Sequence, residues 1–162
     1  MTENWKSSAD APEMEGRQYH IQCTPGDVAP YVLLPGDPGR ADAIAATWDE
    51  RRFVAANREH RTFTGTTGGA PVSVTSTGMG GPSTAIAVEE LLRVGADTFI
   101  RLGTCGVIQE DIACGDLIVN TAAVRHDGAS NLYVEDRYPA SADHEVTLAL
   151  IEACEELGLT YH

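Results

Sequence analysis

Lysine is almost missing from this sequence: Lys6 is the only one among 162 residues. Basic charge is scarce altogether, with Lys+Arg 11 against Asp+Glu 24 and a formal net charge of −13. Nucleic-acid binding needs a basic face to displace counterions, so this balance argues against it. Long apolar runs are missing as well. None approaches the ~20 residues of a membrane-spanning helix, so no membrane partner is expected. The opening residues, MTENWKSSADAPEMEGRQ, have neither the basic nor the apolar region of a signal peptide. Paired cysteines are the third absence. Cys23, Cys105, Cys114 and Cys154 form no C-x-x-C pair and have no His at zinc-finger spacing. They read as free thiols rather than a disulfide frame or a metal site. The expected compartment is the cytoplasm. Solubility is the simple reason for so acidic a surface, and adaptation to high salt is the sharper one.

What is present is enough for one core, since 43% of residues are apolar. Residues 1–18 read as a flexible acidic arm and residues 19–162 as a single domain. Pro30–Leu34 is a short apolar run that suits a buried strand. Asp37 can cap a helix from Gly39 to Trp48, with Pro38 in its first position. Arg52–Ala55, Arg61–Thr66 and Pro71–Ser76 read as strands, with Gly68-Gly69 turning between the last two. Ser83–Val94 is an amphipathic helix stopped by Gly95, and Thr98–Leu102 is the strand after it. Asp116–Val124 reads as a strand and 125–142 as a long loop. A helix from Glu145 to Leu157, capped by Ser141 or Asp143, ends at Gly158. Thr160-Tyr161-His162 begins another strand pattern, which raises the expectation of a piece of a longer protein. Strands alternating with helices, together with hairpin neighbours, predict an α/β fold around a mixed sheet.

Three glycine turns follow strands and carry candidate chemistry. Pro35-Gly36-Asp37-Pro38-Gly39-Arg40 joins a strand to a helix N-terminus, where free N–H groups and a planar guanidinium suit an anion. An ordinary strand-to-helix turn with a surface arginine is the plainer reading. Thr77-Gly78-Met79-Gly80-Gly81-Pro82-Ser83-Thr84 lacks the Gly-Lys-Ser/Thr ending of a nucleoside-triphosphate loop. Arg101-Leu102-Gly103-Thr104-Cys105-Gly106 puts an arginine at the end of an apolar strand, expected to be central in the sheet. Such an arginine is costly to bury unless it meets an anion, and strand carboxyl ends are where open α/β sheets bind ligands. Asn57-Arg58-Glu59-His60 reads by itself as a solvated charged turn.

Taken in order, these blocks resemble the type I nucleoside phosphorylases. The matching segments are Leu34-Pro35-Gly36-Asp37-Pro38-x-Arg40, Asn57-Arg58-Glu59, Ser76 through Leu91, and Arg101-Leu102-Gly103-Thr104-x-Gly106. The run Val124-Arg125-His126-Asp127-Gly128-Ala129-Ser130 looks like the uridine-phosphorylase branch. The resemblance covers about residues 20–162.

The resemblance implies a three-layer fold with a mixed central β-sheet flanked by helices, incomplete at its C-terminal side. It implies a pentosyltransferase that cleaves a nucleoside, uridine first, with phosphate to give free base and ribose 1-phosphate. Phosphate would lie among Gly36, Arg40, Arg101 and Thr104, with Arg58 supplied by a neighbouring subunit. Arg101 and Thr104 would act on the reacting groups, Thr104 would also meet the ribose, and His20 would reach the ribose 5′-hydroxyl across a dimer. Glu59, the Met79 carbonyl and Ser83 match positions that hold potassium between subunits in some members, although Glu59 can equally pair with an arginine. No organic cofactor is implied, phosphate is a co-substrate, and the implied assembly is a hexamer of dimers. The family's Met-Glu-x-Glu ribose segment and its uracil-reading Gln-x-Arg pair have no counterpart in these residues. The 162 residues by themselves are therefore expected to be inactive. The alternatives are a purine nucleoside or methylthioadenosine phosphorylase, a related nucleosidase using water, or a truncated non-catalytic relative. Three arginines favour phosphate over water as the nucleophile.

Overall fold

A computed structural model describes residues 13–162. They divide into two compact units, one up to Gly103 and one from Thr104 onward. Of the expected arm, residues 1–12 lie outside the described residues. Glu13–Met14 (β1) and Arg17–Gln18 (β2) pair as a small antiparallel hairpin.

The first unit is built on a five-stranded sheet. Its strands are Tyr31–Pro35 (β3), Glu50–Asn57 (β4), His60–Thr67 (β5), Ala70–Thr75 (β6) and Thr98–Leu102 (β7), in the spatial order β4-β5-β6-β3-β7. β4, β5 and β6 form an antiparallel meander, whereas β3 runs parallel to both β6 and β7. The sheet is mixed, as the sequence predicts. β3 sits between its two parallel neighbours because it is the most apolar strand and side chains cover both its faces. Val32 and Leu34 pack with Leu91 of the helix Gly81–Arg93 (α2) and with its C-cap Val94 on one face. Leu33 and Val74 pack with Ala41 and Ala45 of the helix Pro38–Ala45 (α1) on the other. Helix, sheet and helix thus make three layers within this unit.

Local chemistry sets where these elements begin. Asp37 caps α1 by accepting from the Gly39 N–H at 2.9 Å, and Pro38 opens the helix as expected. Polar side chains inside the sheet meet one another across strands: Thr62 Oγ1 lies 3.0 Å from Thr75 Oγ1, and Thr64 Oγ1 lies 2.7 Å from Ser73 Oγ. Buried hydroxyls satisfied in this way cost little. β7 departs from expectation. It is an edge strand among the described residues, paired only with β3, so its side chains are partly exposed.

The second unit holds Ala122–Ala123 (β8) paired with Ala140–Ser141 (β9), a short 3-10 turn at Ser130–Leu132, and the helix His144–Glu156 (α3). Asp143, rather than Ser141, caps α3 through the Val146 N–H at 3.0 Å. The strand expected over Asp116–Val124 forms only in part. It runs parallel to residues 160–162, with Leu117 N–H donating to the Thr160 carbonyl, His162 N–H to the Leu117 carbonyl and Val119 N–H to the His162 carbonyl. The expected loop 125–142 is gathered around Arg125. That guanidinium donates to Ser130 Oγ at 3.0 Å, to the Val134 carbonyl at 2.9 Å and to the carbonyls of Glu135 and Tyr138.

Candidate active site

The three parallel strands β3, β6 and β7 deliver their carboxyl ends to the same edge of the sheet. There the chain leaves β3 through Gly36 and leaves β6 through Ser76-Thr77-Gly78. The two exits are laced together: Thr77 N–H donates to the Pro35 carbonyl and Gly78 N–H to the Gly36 carbonyl, both at 2.9 Å. Gly36 is glycine because of this closeness. A Cβ there would stand 3.1 Å from the Gly78 carbonyl oxygen and 3.2 Å from Arg101 Nη2. Gly78 has φ +70, and a Cβ on it would press on the Glu59 side chain at 2.7 Å.

Arg101 comes in from β7, paired in register with Leu34. It is exposed, not buried, and its Nη1 donates to the carbonyls of Leu34 (2.8 Å) and Leu102. The cost foreseen for a buried arginine is thereby avoided by backbone carbonyls, which also aim Nη2 at the Gly36 turn. The α1 N-terminus is a weaker anion cradle than the sequence suggests, because Asp37 already takes the Gly39 N–H. Arg40 stands half-exposed in the first turn of α1. Gly36 and Arg101 are therefore brought together, with Arg40 on the helix that follows. Thr104 is exposed and belongs to the second unit.

A second grouping forms around the β4–β5 turn. Asn57 pairs with His60, leaving Arg58-Glu59 as a two-residue loop. Arg58 adopts φ +54, the left-handed region that costs a residue with a Cβ about 1–2 kcal/mol. Its guanidinium lies 6.0 Å from the centre of the Tyr19 ring. Asn57 Nδ2 donates to the His20 carbonyl at 2.8 Å, so this turn holds the segment carrying Tyr19 and His20. Among the described residues, no hydrogen bond or ion pair joins His20 or Arg58 to Gly36, Arg40 or Arg101. Those two residues form a group of their own.

Glu59, Met79 and Ser83 also converge. Glu59 packs on Gly78, and Ser83 Oγ donates to the Thr77 carbonyl and lies 3.4 Å from the Met79 carbonyl. The oxygens on offer are a carboxylate, a hydroxyl and a carbonyl, which is hard-cation chemistry. No arginine pairs with Glu59 among the described residues, and His60 Nε2 lies 3.8 Å from its carboxylate.

One residue at this site escaped the sequence reading. Glu90, on α2, is 2% exposed and takes hydrogen bonds from the His20 N–H, the Ile21 N–H and His20 Nδ1. Its signal was present, because Ile86, Glu90 and Val94 recur at four-residue spacing on the apolar stripe of the helix. A carboxylate in such a stripe must meet donors.

A glycine turn and an arginine fork thus meet at the ends of parallel strands, in the mixed, helix-covered sheet of an α/β protein. The Phosphorylase superfamily model matches residues 30–162, and the chain belongs to that family. It is 63% identical over 156 residues to a uridine phosphorylase of Thermococcus kodakarensis, covering 96% of this chain and 56% of that protein. It is 44% identical to a guanosine phosphorylase of Halorubrum lacusprofundi, covering 86% of this chain and 58% of that protein. The crystal structure of a purine nucleoside phosphorylase from Toxoplasma gondii in complex with immucillin-H superposes with a TM-score of 0.88 at 36% identity, covering 92% of this chain and 60% of that one. The chain thus spans a little over half the length of the curated relatives it matches.

Proposed function

We propose that the whole protein carries out reversible phosphorolysis of a nucleoside, uridine first, yielding free base and ribose 1-phosphate. The observation that carries this reading is the 3.2 Å approach between Arg101 Nη2 and the position of a Gly36 side chain, at the ends of three parallel strands. An anion seated there meets the Gly36 turn and the Arg101 fork, with Arg40 on the helix that follows. Arg58 and His20, grouped apart and held by one turn, suit donation to the site of a partner subunit in a dimer-based hexamer. His20 would then hold the ribose 5′-hydroxyl. Each charge-assisted hydrogen bond to the phosphate is worth roughly 1.5–3 kcal/mol.

In this mechanism the bond to the base lengthens first and the sugar gains oxocarbenium character. The phosphate dianion offsets that charge and then attacks the anomeric carbon. The protein supplies placement and electrostatics, with no covalent intermediate. The oxygens of Glu59, Met79 and Ser83 would share a potassium ion with the partner subunit, stiffening the turn that carries Arg58. A cytoplasmic enzyme fits the four free thiols.

The test is uracil release from uridine by the full-length protein, measured with and without phosphate. We expect release only with phosphate, and an Arg101→Ala variant whose KM for phosphate rises at least about tenfold, the loss of one charged hydrogen bond. Equal release in phosphate-free buffer would point to a hydrolase instead. The guanosine phosphorylase relative favours a purine as the second reading. Direct competition of guanosine against uridine decides between the two.

A further inference from the structure

We propose that Glu90 is a positioning residue that sets the tautomer and direction of His20, and so governs recognition of the sugar 5′-hydroxyl. The inference rests on the ribose role given above to His20. Glu90 is 2% exposed and lies on the buried stripe of α2, seventy positions along the chain from His20. Its Oε1 accepts from His20 Nδ1 at 2.7 Å, and its Oε2 accepts from the His20 N–H at 3.0 Å and the Ile21 N–H at 2.8 Å. A carboxylate only accepts, so the imidazole must present its proton at Nδ1. In the neutral ring Nε2 is then the remaining nitrogen and the one able to accept from a hydroxyl. The backbone bonds fix the residue's place and the side-chain bond fixes its ring. One buried group does both, and it grips the segment from a rigid helix.

The carboxylate is specifically required. In Glu90→Gln one oxygen becomes an NH2 donor, which must face either the two backbone N–H groups or the imidazole. Turned toward the ring, the amide favours a proton on Nε2 and reverses what His20 offers to the sugar.

The experiment compares uridine with 5′-deoxyuridine in the full-length wild type, Glu90→Gln, His20→Ala and the double variant. Both single variants should lower kcat/KM for uridine about tenfold, the worth of one hydrogen bond, while leaving 5′-deoxyuridine within about twofold. The double variant should match His20→Ala. Equal losses of Glu90→Gln on both substrates overturn the proposal and leave Glu90 a structural anchor. If His20→Ala itself fails to discriminate, the ribose reading falls and takes the proposal with it. Nitrogen-15 spectra of the His20 ring in the wild type need no variant to fold: a proton on Nδ1 is expected, and a proton on Nε2 overturns the proposal.

Discussion

Gly36 has no room for a side chain, and that single fact ties three segments together. A methyl group there would stand 3.1 Å from the Gly78 carbonyl and 3.2 Å from Arg101 Nη2. The carbonyl is held by neighbouring ladder bonds, so the guanidinium is the softer neighbour and would move. Gly36→Ala should therefore raise the KM for phosphate about tenfold while changing thermal stability little, because no core residue is touched. A large drop in Tm with an unchanged KM would contradict this account. His20 shows the other side of residue-scale reading. The sequence singles it out by resemblance, but does not show that its partner is Glu90. The stretch between them includes four strands of the sheet, and only their folding brings the two side chains within 2.7 Å.

Elements were legible where a local signal was strong. β7 is found at Thr98–Leu102 as read, and α1 begins at Pro38 under the Asp37 cap. β4 is longer than read, Glu50–Asn57 rather than Arg52–Ala55, because its polar ends have no alternation and are ordered only by pairing with β5. Of the strand expected over Asp116–Val124, Leu117 and Val119 pair with residues 160–162 and only Ala122–Ala123 belongs to a ladder of its own. The turn after β8 carries a pH-dependent element. The Asp127 carboxylate accepts from the Ser130 and Ala129 N–H groups, both at 2.7 Å, and these bonds hold its pKa down at about 2, below the usual carboxylate range. A depressed carboxylate contributes order above its unfolded pKa, and that order is lost as pH falls through the folded value. The Ser130 amide resonance should therefore titrate with a midpoint near about 2. A midpoint near 4 would mean that the two N–H bonds do not form in solution.

At the scale of the whole molecule, charge dominates. With a net charge of −13, the carboxylates repel one another across a surface that contains almost no lysine to offset them. Salt shortens the reach of that repulsion from about 10 Å at 0.1 M to about 3 Å at 1 M. Thermal unfolding followed in rising KCl should show Tm climbing, with each 1 kcal/mol of relieved repulsion giving about 2–4 °C at this size. A Tm that falls or stays flat between 0.1 M and 2 M KCl would show that the acidic surface is neutral to stability.

The sequence by itself determined the α/β alternation, the glycine turns after strands and the arginines beside them, because those are short-range signals of backbone conformation and charge. It also placed the chain in its family, through motifs that each span only a few residues. Tertiary structure alone decided which of those arginines meets a glycine turn, that Arg101 is satisfied by carbonyls rather than buried, and that the turn carrying Arg58 holds the segment carrying His20. It alone revealed Glu90 under His20. Those outcomes depend on which strands lie side by side, and the order β4-β5-β6-β3-β7 is set by long-range pairing that no local pattern encodes.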